Sequence, residues 1–204
     1  MKTLLKVQSS LHGETAQSAQ LADRYVAQWL ALNPGGRVVT RDVSKDPVPH
    51  LTSERFAAFA SKAEARTAEQ QAVLNYSDAL IAEVKNADDV VFAVPMYNFG
   101  VPSTLRAYFD HIARSGVTFK YTATGPQGLL TGKQTTVFIT RGGFYPEIND
   151  TQTAYLKQFL GFIGLANVQF VYAEGLSIDA ATREKGIRTA QHTIAKLYGE
   201  ALAA

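Results

Sequence analysis

The run Ser9-Ser10-Leu11-His12-Gly13-Glu14-Thr15-Ala16-Gln17-Ser18 is rich in hydroxyl and amide groups and follows directly on a short apolar stretch, Thr3 to Gln8. From about Ser18 to Leu32, apolar residues (Leu21, Tyr25, Val26, Trp29, Leu30) recur at helical spacing. The run therefore sits where a strand hands over to a helix. A helix N-terminus presents amide N–H groups without intrahelical partners and a partial positive charge, so it can hold a phosphate without a lysine. The plain alternative is that Thr15 or Ser18 merely caps the helix. Neither GxGxxG nor GxxxxGK[ST] occurs in the run, which excludes the usual dinucleotide and P-loop readings. A phosphomonoester in a hydroxyl-lined loop is the alternative ligand for such a junction.

Two further loops carry unusual content. Val90 to Val94 is a near-continuous apolar run bounded by Asp89 and Pro95, as suits a strand covered on both faces. It breaks into Pro95-Met96-Tyr97-Asn98-Phe99-Gly100-Val101-Pro102, which combines large flat side chains, an amide and two stiffening prolines. Such a loop can hold backbone groups towards a planar ring. Ser103 is then expected to cap a helix carrying Leu105, Tyr108, Phe109 and Ile112. A third loop, Arg141-Gly142-Gly143, closes the strand Gln134 to Thr140. Paired glycines let backbone approach a flat ligand closely, with N–H groups reaching carbonyl oxygens on its edge. Taken singly, each loop reads as a plain turn. A phosphate loop, a ring-face loop and a ring-edge loop at one end of a sheet together describe a bound flavin mononucleotide, FMN.

The elements that must position these loops follow from periodicity. Arg37 to Asp42 is a second strand after the Asn33-Pro34-Gly35-Gly36 break. Ser53 to Asn86 is a long polar region, read as one or two surface helices that could move over a site. Ser115 to Tyr121 leads into a Gly/Thr-rich excursion, Thr122 to Gly132. Thr151 to Ile163 is a helix, Asn167 to Ala173 the fifth strand, and Ile178 to Leu202 the closing helix. Five alternations of strand and helix predict a three-layer α/β/α sandwich around a parallel sheet. The 204 residues make one domain, 1–204.

Composition narrows the chemistry. A formal net charge of +2 with no basic stripe gives no reason to expect nucleic acid. No run approaches a membrane span and the N-terminus lacks a signal-peptide core, so a cytoplasmic protein is expected. The absence of cysteine removes disulfides, thiol catalysis and iron–sulfur clusters. The four histidines, His12, His50, His111 and His192, are scattered and form neither a metal cluster nor a Ser-His-Asp set, so they read as surface or core fillers.

The chain resembles the bacterial FMN-dependent NAD(P)H azoreductase/quinone reductase family. The matching pieces are Ser9-Ser10 with Gln17-Ser18, Pro95 to Phe99, Thr118-Phe119-Lys120-Tyr121, Thr140 to Gly143, and Phe159-Leu160-Gly161-Phe162-Ile163-Gly164, in family order from first strand to last. The resemblance implies a flavodoxin-like fold with strand order 2-1-3-4-5 and tightly but non-covalently bound FMN. It places the phosphate at Ser10, Gln17 and Ser18, with the backbone of Ala16 helping. Ala16 stands where the family usually carries serine. Met96, Tyr97, Asn98 and Phe99 would line the ring and ribityl chain, Thr140, Arg141, Gly142 and Gly143 the ring edge, and Tyr121 and Phe162 the substrate pocket. A homodimer with sites at the subunit interface is implied, with 119–131 and 159–165 as interface pieces. The expected activity is ping-pong hydride transfer from NADH or NADPH to FMN, then to quinones, azo compounds or nitroaromatics. Azo cleavage to amines would take two cycles. The alternatives are a flavodoxin-type single-electron carrier, which the near-neutral charge argues against, and a flavin-binding regulatory or scaffold protein without turnover.

Overall fold

A computed structural model of the protein describes residues 1–203, with side chains to Gly199. Its elements are β1 (Thr3–Gln8), α1 (Gln17–Leu32), β2 (Arg37–Asp42), α2 (Ser53–Ala60), α3 (Ala68–Asn86), β3 (Asp89–Pro95) and α4 (Ser103–Ile112). There follow β4 (Phe119–Thr122), β5 (Gly125–Gly128), β6 (Gln134–Thr140), α5 (Thr151–Ile163), β7 (Val168–Ala173) and α6 (Ala180–Ala203). Five strands form one parallel sheet in the order β2-β1-β3-β6-β7, while β4 and β5 form a separate antiparallel hairpin. With the hairpin set aside, this is the expected 2-1-3-4-5 order.

Alternation along the central strands builds the layers. Val90, Phe92 and Val94 of β3 face one core with Val137 and Ile139 of β6 and the apolar stripes of α3, α4 and α5. Val91 and Ala93, with Leu4 and Phe138, face the other core against Leu21, Tyr25 and Trp29 of α1 and Ile194 of α6. Both faces of β3 are therefore buried, which is why its sequence is continuously apolar. Each such Val, Leu or Phe contributes roughly 1.5–3 kcal/mol through burial.

Boundaries differ from expectation where side chains intervene. Asp179 accepts from Thr182 N at 2.8 Å, so α6 starts at Ala180 rather than Ile178. Ser103 does not cap α4: Pro102, with φ −52°, takes the cap position, leaving Ser103 inside the first turn with no side-chain cap. The polar region 53–86 divides into two helices, each with a threonine cap, Thr52 for α2 and Thr67 for α3. His111 is the one core histidine; its Nδ1 lies 3.0 Å from Ala107 O, and burial pushes its pKa down. His12, His50 and His192 are exposed.

Candidate flavin site

The three loops meet at the carboxyl ends of β1, β3 and β6, across the point where strand order reverses between β1 and β3. Open α/β sheets bind ligands in that crevice. Sheet geometry alone brings the loops together: Met96 N donates to Thr140 O at 2.9 Å, and Ser9 Oγ to Ala93 O at 2.9 Å.

At the first loop, Ala16 is the N-cap of α1 and supplies no side-chain bond. Neither Thr15 nor Ser18 caps the helix. Thr15 Oγ1 instead donates to His12 O at 2.8 Å, and Ser18 Oγ is fully buried without a hydrogen-bond partner. No protein acceptor takes the N–H of Gln17, Ser18 or Ala19 among the described residues. Unpaired amides beside an orphaned buried hydroxyl fit an anion, since leaving such groups unmatched costs about 1–3 kcal/mol each. Ser10, also buried, adds a second hydroxyl.

The ring-face loop is a tight turn. Tyr97 and Gly100 exchange backbone bonds of 3.1 and 3.0 Å, and Asn98 and Phe99 between them have φ of 49° and 64°. Two non-glycine residues in the left-handed region make this a type I′ turn at a local cost of about 1–2 kcal/mol for a residue such as phenylalanine. The turn throws Phe99 outward to 65 % exposure, its ring edge-on to Tyr145 at 6.1 Å. Below it, Met96, Tyr97, Asn98, Phe99 and Leu11 line one side of a cleft of about 810 Å³ that continues to Arg106 and Tyr155.

At the ring-edge loop the carbonyls of Arg141, Gly142 and Gly143 accept from Leu176, Ser177 and Gly175 N, at 3.0, 3.0 and 3.1 Å. The N–H groups of Gly142 and Gly143 meet no protein acceptor among the described residues. Glycine at 142 is also a packing requirement, because a Cβ there would lie 2.9 Å from Ser177 Oγ. The Arg141 side chain does not join these donors. Its guanidinium is 2 % exposed and bonds Asp150 (2.6 and 2.7 Å), Thr153 (2.8 Å), Glu174 (3.2 Å) and Gln152 (3.2 Å). Burial pushes the Asp150 carboxyl up, but bonds from Thr153 and Arg141 outweigh it and hold the pKa below the usual range.

Sequence reasoning missed this support. The first turn of α5 clasps both ring loops: Thr151 Oγ1 donates to Phe99 O at 2.6 Å and Gln152 Nε2 to Pro95 O at 3.1 Å, while Gln152 Oε1 accepts from Arg141 Nε at 3.2 Å. The Asp150 cap before a helical run is visible in the sequence, and Asp150 does accept from Thr153 N at 2.9 Å. The long-range partners are not visible there.

The structure thus brings Ser10, Ala16, Gln17 and Ser18 to one end of the sheet with Met96 to Phe99 and Thr140 to Gly143. Tyr121 and Phe162 are elsewhere, joined to each other through Phe119, whose ring lies 5.6 Å from Tyr121 and 4.2 Å from Phe162. The donor set suits a ligand with an anionic end, a flat body and acceptors along one edge, which are the features of FMN.

Residues 1–197 match the family described by its flavodoxin-like fold. The chain is 53 % identical over 195 residues to the FMN-dependent NADH:quinone oxidoreductase of Cellvibrio japonicus, spanning 95 % of this chain and 97 % of that one. It is 46 % identical over 196 residues to the FMN-dependent NADH:quinone oxidoreductase 6 of Burkholderia lata, spanning 96 % and 99 %. The crystal structure of azoreductase from Bacillus anthracis str. Sterne superposes with a TM-score of 0.88 at 28 % identity, over 97 % of this chain and 98 % of that one. Matched from end to end by both sequence and backbone, the chain belongs to the flavodoxin-like fold family and, within it, to the group of the FMN-dependent NADH:quinone oxidoreductases.

Proposed function

We propose that the protein is an FMN-dependent NADH:quinone oxidoreductase that uses one pocket for donor and acceptor in turn. The observation that carries this reading is the unpaired donor set at the three loop ends: the α1 amides with Ser18 Oγ, and the Gly142 and Gly143 amides. When bound, FMN supplies hydride acceptance and hydride donation at its ring. Everything else is positioning by the chain. The α1 N-terminus, Ser10, Gln17 and Ser18 hold the phosphate, while Gly142 and Gly143 hold the ring edge. Met96, Tyr97, Asn98 and Phe99 wall one side. The opposite side stays open for flat molecules, and Tyr121 and Phe162 of a second copy complete its cover in a homodimer.

Donor and acceptor stack in the same place, so one leaves before the other enters, a ping-pong order. Quinones complete a cycle with one hydride, and azo compounds require two. Nitroaromatics fit the same flat slot. No group of three or more metal-ligating side chains is found among the described residues, and no described helix is long and apolar enough to cross a membrane.

The test is anaerobic stopped-flow absorbance of the FMN-loaded protein, mixed first with NADH or NADPH and then with benzoquinone. Fast two-electron bleaching followed by fast recovery is expected, with the two nucleotides ranked by rate. A protein that retains no flavin, or whose flavin NADH fails to bleach, would overturn the reading.

A further inference from the structure

Tyr97 belongs to the ring-face loop, yet its hydroxyl is spent on the first loop. It lies 3.2 Å from Ser10 Oγ and 3.2 Å from the amide of Leu11. Ser10 Oγ in turn accepts from His12 N at 3.2 Å. The polarity of this chain of bonds follows from counting protons. An amide only donates, so the Tyr97 oxygen accepts from Leu11 N–H, and His12 N–H fills one lone pair of Ser10 Oγ. One bond remains, between two hydroxyls, and a phenol O–H is a better donor than an aliphatic alcohol. Ser10 Oγ therefore accepts twice, and its single proton is left without a protein acceptor beside the α1 N-terminus. With the opposite polarity that proton would be consumed by Tyr97.

We propose that the Tyr97 hydroxyl is a positioning group for Ser10: it fixes the Ser10 proton for the phosphate and so sets the protein's preference for FMN over riboflavin. The inference rests on the reading of the first loop as the phosphate site. It gives Tyr97 a role separate from that of a ring wall, and it ties the phosphate loop to the ring loop through one side chain.

The test uses the flavin-free full chain, titrated with FMN and with riboflavin by fluorescence quenching, for the wild type, Tyr97→Phe, Ser10→Ala and the double variant. Tyr97→Phe keeps the ring and removes only the hydroxyl, and its fold is checked by thermal melting. The expected result is about a tenfold loss of FMN affinity, the size of one directed bond to a charged group, with riboflavin affinity changed by less than about twofold, as for a contact that riboflavin lacks. In the double variant FMN affinity falls no further than in Ser10→Ala, because Tyr97 acts through Ser10. Equal losses for both flavins, or losses that multiply in the double variant, would overturn the inference while leaving the phosphate site standing. A wild type that binds riboflavin as tightly as FMN would remove the phosphate site and this inference with it.

Discussion

A buried hydroxyl with no partner is an expense in the flavin-free fold, and Ser18 Oγ is such a group, fully buried at the start of α1. Its two effects have opposite signs. Ser18→Ala removes an unsatisfied polar atom, so the flavin-free protein is expected to hold its stability or gain up to about 1 kcal/mol. The same change deletes a donor to the phosphate and is expected to weaken FMN binding about tenfold. Urea denaturation of the stripped protein and flavin titration measure the two separately. Loss of stability together with unchanged affinity would mean that Ser18 is an ordinary structural serine. At this scale the hydroxyl-rich loop is legible at a strand-to-helix junction, but a serine there serves equally well as a cap, and only the family resemblance singles out Ser10 and Ser18. The destination of Arg141 is not legible: a guanidinium beside two glycines reads as a ligand contact until Asp150 and Glu174, 9 and 33 positions away, close around it.

Elements are legible in the sequence where periodicity runs long and hidden where tertiary contact decides. The hairpin of β4 and β5 has strands of four residues, and β5 reads Gly-Pro-Gln-Gly, with no alternation to announce it. Docking holds it in place. Leu130 N donates to Ile163 O at 2.9 Å, and Gly128 lies so close to Gly164, the left-handed C-cap of α5 at φ 105°, that a Cβ on Gly128 would stand 2.1 Å from Gly164 N. This glycine contact sets the distance between the hairpin that carries Tyr121 and the helix end that carries Phe162. Gly128→Ala must push the two apart, at a cost of about 1–3 kcal/mol for overpacking against backbone. Because the phosphate and ring loops lie at the other ends of their strands, FMN affinity is expected to stay within about twofold, a shift under RT. The KM for quinone is expected to rise. Steady-state kinetics on the fully loaded variant checks this, and a quinone KM equal to that of the wild type would detach the hairpin from the substrate pocket.

For the whole molecule, the parallel sheet and its two cores are legible because β3 is a continuous apolar run and the strands alternate with helices, while the strand order comes only with the family resemblance. The assembly of the site is a different matter, and it turns on the direction of α5. Thr151 at its start touches the ring-face turn through Phe99 O. Phe162 is eleven residues further on, and at 1.5 Å per residue that is about 16 Å along the axis, away from the loops. Within one chain, then, Phe162 and its neighbour Tyr121, 73 % exposed, are carried off from the flavin loops. The proposed role as pocket walls therefore requires a second copy to supply them, and the apolar groove of Tyr155, Phe159 and Phe162 is the surface such a copy would bury. Gly161 offers a clean test on this face. It is exposed, and a Cβ added there meets no atom within 4 Å, so Gly161→Arg starts into open space on the free chain and improves helix propensity by about 0.8 kcal/mol. Light scattering is expected to give twice the 22.2 kDa chain mass for the wild type and a single chain mass for Gly161→Arg. The variant should still bind FMN through loops that lie within one chain, while quinone turnover drops at least about tenfold, as for loss of an aromatic wall that stacks the substrate. A wild type that is fully active as a single chain would place the whole pocket within one protomer and leave Tyr121 and Phe162 outside it.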